Sequence, residues 1–433
     1  MPPTGKQGWK LGILSGGGPA PGINAVIAAA CIRARLEHVE VLGIHDGFAR
    51  LMAGDANATE PLDIPDVSRI HTQGGSILGM GRANPTRDPN DLARVYEGLT
   101  RLGITHLITI GGDDTAFSAY TLAEHSAGAL KVAHVPKTID NDLDLPPEID
   151  TFGYKTARSV GVGIVRNLMV DAKTAGRWYF VIAMGRKAGH LALGIGKAAG
   201  ATLTIVPEEF EGKRVSLDTV VQTLAGAIVK RRASGRKDGV AVIAEGVTFA
   251  IREEDLAALG SIEKDEHGHP RLAEFDLGRV LKDRVRATLA KLSIDVTIVE
   301  KNIGYELRSA EPVPSDLEYC RDLGYCAAKF LLDGGGGVLI SMQGGRFVPV
   351  PLGNLLDPET GRMQVRMVDI RSTRYAIARR YMIRLRRDDF EDPETVEQLA
   401  ASCGLTPDAF RLQFEAIVKS EPPRLEFEEN LSI

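Results

Sequence analysis

The sequence predicts an α/β protein built of two doubly wound α/β domains with a cleft between them, plus a mainly helical C-terminal appendage. Two observations lead there. Short β-branched runs alternate with longer helical patterns, the arrangement of parallel strands covered by crossover helices. The alternation opens near residue 10 and restarts after a long helical pattern beginning near Tyr154, which makes two blocks. A chain of 433 residues, 44% hydrophobic and 25% charged, is long enough for about two to four cores and needs no disulfide or metal framework.

Strands are expected at Leu11–Leu14, Val39–Ile44, His106–Ile110, Lys131–Val135, Trp178–Ala183, Thr202–Val206, Gly239–Ala244, Asp295–Val299 and Val338–Ser341. Helical patterns lie between them at Gly22–Leu36, Ala116–His125, Thr156–Ala172 and Leu217–Arg232. One domain is expected over residues 1–152 with about 308–352, a second over 153–307, and the appendage over 353–433. Residues 252–271 are polar with Gly and Pro and read as a surface excursion.

Composition excludes several functions. A net charge of −5 gives no electrostatic footprint for nucleic acid or an acidic membrane. Anionic substrates must therefore meet local basic clusters. Cys31, Cys320, Cys326 and Cys403 form no CxxC pair and read as reduced thiols. The first residues carry no apolar signal core, and no run reaches the ~18 apolar residues of a membrane span. A cytoplasmic protein is expected.

Chemistry gathers where strands end. The first strand runs into Ser15-Gly16-Gly17-Gly18-Pro19-Ala20-Pro21-Gly22, and a helix follows. Glycines there let backbone N–H groups approach a phosphate at a helix N-terminus, although the same string also suits a plain tight turn. It fits neither the Rossmann nor the Walker fingerprint, since Pro21 stands where the first needs Gly and no GK[ST] is present. At Gly111-Gly112-Asp113-Asp114-Thr115, paired carboxylates open a helix. Either one holds a cation such as magnesium, or one caps the helix. Pro136-Lys137-Thr138-Ile139-Asp140-Asn141-Asp142 offers a base and a fixed cation, the groups that phosphoryl transfer to a hydroxyl requires, unless it is only a polar loop of Asx turns. Met184-Gly185-Arg186, Glu245-Gly246 and Tyr305-Glu306-Leu307-Arg308 also follow strands; arginine forks suit phosphate and Glu245 suits sugar hydroxyls, and singly each reads as a surface charge.

Taken in order, Gly111–Asp114, Pro136–Asp142, Met184–Arg186, Ala244–Gly246 and Gly304–Arg308 resemble the phosphofructokinase family over roughly residues 10 to 350. The resemblance implies transfer of a phosphoryl group to the 1-hydroxyl of fructose 6-phosphate, a step of glycolysis and gluconeogenesis that yields fructose 1,6-bisphosphate. It implies Asp140 as the base, with Lys137 and Arg186 also catalytic, and Asp113 as the Mg2+ carboxylate. Gly17, Arg82, Asp114 and Lys137 would face the donor phosphates. Thr138, Asp140, Met184, Gly185, Arg186, Glu245, Tyr305 and Arg308 would hold the sugar phosphate. Arg177 would reach the sugar phosphate of a neighbouring subunit, so a homodimer or homotetramer is implied. The first domain would then carry the donor phosphate and magnesium, and the second the sugar phosphate.

ATP-using members usually have Gly where Asp114 and Lys137 stand, whereas pyrophosphate users resemble this chain at both. A carboxylate within ~4 Å of the ATP α-phosphate would cost about 4 kcal/mol at an effective dielectric of about 20. The expected donor is therefore pyrophosphate, released as phosphate, in a reversible reaction. The alternatives are an ATP-dependent enzyme and a noncatalytic regulatory subunit; the intact Asp113, Asp140, Asp142 and Arg186 argue against the second.

Overall fold

The computed structural model describes residues 8–55, 57–146, 149–210, 214–258, 275–361, 363–419, 421, 422 and 425. Of the expected excursion at 252–271, residues 259–271 lie outside the described residues. Contacts divide the chain into two compact units, residues 1–160 with 305–366 and residues 161–304 with 367–433. In chain order the strands are β1 (Lys10–Ser15), β2 (Glu40–Ile44), β3 (Thr59–Leu62), β4 (His106–Gly111), β5 (Lys131–Thr138), β6 (Phe152–Gly153) and β7 (Trp178–Ala183). There follow β8 (Leu203–Ile205), β9 (Gly239–Ala244), β10 (Ile298–Ile303), β11 (Val338–Leu339), β12 (Met342–Gln343), β13 (Arg346–Phe347) and β14 (Val350–Pro351).

The first unit is built on the sheet β14-β11-β5-β4-β1-β2-β3, with β6 pairing with β5. Its inner pairs are parallel, and the edge strands β14 and β3 pair antiparallel. Alternate side chains feed two cores, as the pleat requires. Leu11, Ile13, Ile108, Ile110, Ala133 and Val135 pack with helices Ile23–Arg35 and Pro314–Leu332. From the other face, Leu14, Leu107 and Val132 pack with helices Pro89–Arg101 and Asp113–His125. The second unit holds the all-parallel sheet β10-β7-β9-β8. Every residue of β7 and β9 is buried, which is why both read as unbroken apolar runs.

Two of the expected strands differ from the observed bounds by three residues or more. β5 continues past Val135 through Pro136, Lys137 and Thr138, because Pro136 still sits beside Gly111 while Lys137 and Thr138 find partners in Phe152 and Gly153. β10 lies later than Asp295–Val299. It is an edge strand whose Glu300, Lys301 and Asn302 are not buried, so its polar stretch resembles a loop. Among the described residues no helix is long and apolar enough to cross a membrane.

Helix Ile23–Arg35 starts at Gly22, whose φ is 105°. A Cβ there would stand 2.3 Å from the Cys320 sulfur of the facing helix. Left-handed backbone costs a non-glycine residue about 1–2 kcal/mol and overpacking about 1–3 kcal/mol. Gly22→Ala is therefore predicted to lower stability by about 2–5 kcal/mol, read as a fall in thermal midpoint. Adding Cys320→Ala should restore the packing share alone. An unchanged midpoint in Gly22→Ala contradicts this account.

Candidate active site

In the first unit the carboxyl ends of β1, β4 and β5 meet through their backbones. The Gly16 amide donates to the Ile110 carbonyl and the Gly17 amide to the Gly81 carbonyl, both at 2.8 Å. The segment Gly79–Arg82 thus runs beside the glycine loop and brings the exposed Arg82 to it. Thr115 fills the wedge between loops: a Cβ on Gly16 would lie 2.5 Å from its hydroxyl, and one on Gly111 2.3 Å from its Cβ. No larger residue fits at either place.

Lys137 is 5% exposed, and its ammonium donates to the Gly18 carbonyl beneath the same loop. The Arg308 guanidinium lies on the other side of Gly18, where a Cβ would stand 2.6 Å from Nη1, and stacks 4.6 Å from the Tyr305 ring centroid. Gly112 is the N-cap of helix Asp113–His125 and has no side-chain cap hydrogen bond. Neither Asp113 nor Asp114 is the cap. Both occupy the first turn, where a carboxylate still gains from the helix dipole, Asp113 half-buried and Asp114 exposed.

Asp140 and Asp142 are 6% and 7% exposed. The Asp140 amide donates to the Thr138 hydroxyl at 3.0 Å, and the Thr151 hydroxyl donates to the Thr138 carbonyl at 2.7 Å. Asn141 between the two carboxylates has φ 58°. Its side chain accepts from the Thr151 amide and donates to Asp150, both at 2.9 Å. Two residues that sequence reasoning missed support these turns. His134 is fully buried between the Thr109 hydroxyl (2.8 Å) and the Gly111 carbonyl (3.1 Å), and burial pulls its pKa down to about 3. It is neutral, so Nε2 donates to Gly111 and Nδ1 accepts from Thr109. Arg366 donates to carbonyl oxygens of Asn141, Leu145, Pro146 and Ile149. Neither contact has a local signal, because each partner lies far off in sequence.

In the second unit, Met184-Gly185-Arg186 leaves β7 in a tight turn, Arg186 having φ 52°. One oxygen of Glu245, at the end of β9, accepts from the Gly185 amide (3.1 Å) and the Arg186 amide (2.7 Å). Arg186 is held exposed. Glu208 does the same one step on, accepting from the Gly189 and Val368 amides at 2.9 Å, and burial pushes its carboxyl up. Arg177 is not with this group. It precedes β7, whose six residues span roughly 20 Å at ~3.3 Å each, and pairs with Asp171 at 3.7 Å.

Residues 10–331 match the phosphofructokinase family. The chain belongs to that family. A pyrophosphate--fructose 6-phosphate 1-phosphotransferase of Thermotoga maritima is 52% identical over 411 residues, 94% of this chain and 98% of the relative. One of the same name from Naegleria fowleri is 46% identical over 418 residues, 94% of this chain and 96% of that one. The crystal structure of a pyrophosphate-dependent phosphofructokinase from Nitrosospira multiformis has a TM-score of 0.64, covering 98% of this chain and 94% of that one. At 17% identity that likeness speaks for the fold.

The fit to magnesium follows from the donor set. Among the described residues no cluster of three or more His, Cys, Asp or Glu could hold a metal by itself. A carboxylate in the first turn of a helix beside a glycine loop instead suits Mg2+, which binds one or two carboxylates together with substrate phosphates.

Because Glu245 organises the Met184–Arg186 turn through two amides, its loss should loosen that turn. Hydrogen bonds to a charged acceptor contribute about 1.5–3 kcal/mol. Glu245→Ala is predicted to speed hydrogen exchange at the Gly185 and Arg186 amides by about 10- to 100-fold. Glu245→Gln, which keeps a carbonyl acceptor but loses its charge, should speed it less than Glu245→Ala does. Equal exchange in all three proteins rules the role out.

Proposed function

We propose that this phosphofructokinase-family chain is a pyrophosphate-dependent fructose 6-phosphate 1-phosphotransferase that runs in both directions. The observation that carries the donor assignment is the pair of charged side chains on neighbouring strand ends. Lys137 is buried against the glycine loop, and the exposed Asp114 stands in the first turn of helix Asp113–His125. Lysine supplies fixed positive charge for a compact anion, while the carboxylate repels the extra phosphate of a nucleotide.

In the forward direction the Asp140 carboxylate takes the proton of the sugar 1-hydroxyl as its oxygen attacks the terminal phosphorus of pyrophosphate. The bridging P–O bond breaks and phosphate leaves. Lys137 and Arg186 steady the moving phosphoryl group, with Gly17 and Arg82 at the donor. Asp113 would hold Mg2+, which shields the charge of pyrophosphate. Thr138, Met184, Gly185, Glu245, Tyr305 and Arg308 bind fructose 6-phosphate. Arg308 also touches the glycine loop, so it reaches the region of transfer as well. Arg177, set apart from the Met184–Arg186 turn, serves a neighbouring subunit's sugar phosphate, and a homodimer or homotetramer follows. The first domain takes the donor and Mg2+, the second the sugar, in the cytoplasm.

Purified protein with fructose 6-phosphate and Mg2+ should turn over with pyrophosphate and not with ATP, and excess EDTA should abolish the reaction. Turnover with ATP alone overturns the donor assignment.

Donor choice can also be shifted. Asp114→Gly is predicted to make ATP turnover measurable and raise the ATP-to-pyrophosphate ratio of kcat/KM at least about tenfold, a change of ~1.4 kcal/mol. Since Asp114 is not the N-cap, the variant forgoes only a first-turn charge and some helix propensity, about 0.3–1 kcal/mol each. An unchanged ratio in the folded variant sinks the selectivity argument.

A further inference from the structure

The turn that carries Asp140 and Asp142 is held by a residue more than two hundred positions away. The segment ending at Arg366 lies alongside it: Leu143 bridges to Val365 antiparallel, and the Arg366 amide donates to the Asp142 carbonyl at 2.8 Å. The guanidinium then spreads over the inside of the turn. Nε and Nη2 both reach the Asn141 carbonyl at 3.2 and 3.1 Å, and Nη2 also donates to the Asn141 side-chain oxygen. Nη1 donates to the Ile149 carbonyl at 2.9 Å, with the Leu145 and Pro146 carbonyls at 3.4 Å. One planar fork thus gathers backbone from both arms of the loop.

Asn141 is the point of leverage. Its φ of 58° is unusual for a residue with a side chain, and it sets the directions in which Asp140 and Asp142 leave the backbone. The contacts that hold it there are Arg366 on one side and Thr151 and Asp150 on the other. A general base must stand within hydrogen-bond reach of the proton it takes, and a misplacement of about 1 Å costs on the order of 10²-fold in rate.

We propose that Arg366 is a positioning residue for the reaction, fixing the left-handed turn at Asn141 so that the Asp140 carboxylate is aimed at the acceptor hydroxyl. The inference rests on the reading of Asp140 as the base. Arginine is required because lysine offers a single ammonium in place of a planar fork with donors on three nitrogens.

The test is a double-mutant cycle on the full-length protein. Arg366→Lys should lower kcat about 10- to 100-fold while KM for fructose 6-phosphate and pyrophosphate stays within about threefold. In an Asp140→Asn background, where the group being aimed is gone, the same change should cost less than about threefold more. Asn141→Gly removes the side-chain acceptor, keeps the positive φ accessible, and should give the same pattern; it decides the question if Arg366→Lys does not fold. Unaltered kcat in Arg366→Lys, or equal losses in both backgrounds, overturns the clamp. Near-parental turnover in Asp140→Asn by itself overturns instead the assignment of the base.

Discussion

The candidate site of the first unit depends on how closely its strand ends approach one another. β1 and β4 are adjacent parallel strands, and the turns that leave them converge on the Thr115 side chain. Methyl groups at Gly16 or Gly111 would overlap it at 2.5 Å or less. Because the turns can touch, the Gly17 amide reaches Gly81, and the Lys137 ammonium reaches Gly18 from the next strand over. The neutral His134 secures the Gly111 carbonyl from inside the same sheet. Spread the turns by the width of one methyl group, and backbone and charge no longer address a common space.

That closeness allows charge to be stored before any ligand arrives. Lys137, Asp140 and Asp142 are all nearly buried, and an isolated charge taken from water costs several kcal/mol unless hydrogen bonds replace the lost solvent. For Lys137 the replacement is a backbone group, the Gly18 carbonyl. Folding thereby fixes charges in place, and preorganised charge of this kind is what electrostatic catalysis draws on where water is excluded. The same reasoning explains the placing of Arg366, whose pKa burial lowers while the nearby Asp150, Asp144 and Asp142 act in the opposite direction.

How much of this the sequence discloses depends on the range of the interaction. β7 and β9 fall where the sequence places them, since a buried parallel strand is a continuous apolar run with clear ends. The strand ends carrying Gly17, Asp113, Arg186 and Glu245 are legible for the same reason. Pro136 hides the end of β5, because its missing N–H argues for a break that parallel pairing overrides. The polar edge strand β10 conceals itself among loops. Arg366, His134 and Glu208 are invisible beforehand: each holds a backbone group chosen by the tertiary fold, and no spacing in the chain announces such a partner. Glu245 is legible as a polar group after a strand, yet what it grips is two amides of the next strand's turn.

The carboxyl-terminal segment of the second unit is more than a covering. Glu209 pairs with Arg384 at 2.9 Å and Arg379 at 3.4 Å, and Arg379 pairs in turn with Glu421 at 3.4 Å. All four side chains are 11% exposed or less. Replacing such a network wholesale by apolar groups can leave a fold as stable as before, but removing one member strands another charge and costs about 3–5 kcal/mol. Its physical effect is thus to make docking of the segment all-or-none. Beside it, Glu208 takes the Val368 amide with the same oxygen that takes the Gly189 amide. The segment that Glu209 anchors therefore shares an acceptor with the stretch that follows Met184-Gly185-Arg186, one carboxylate oxygen holding both.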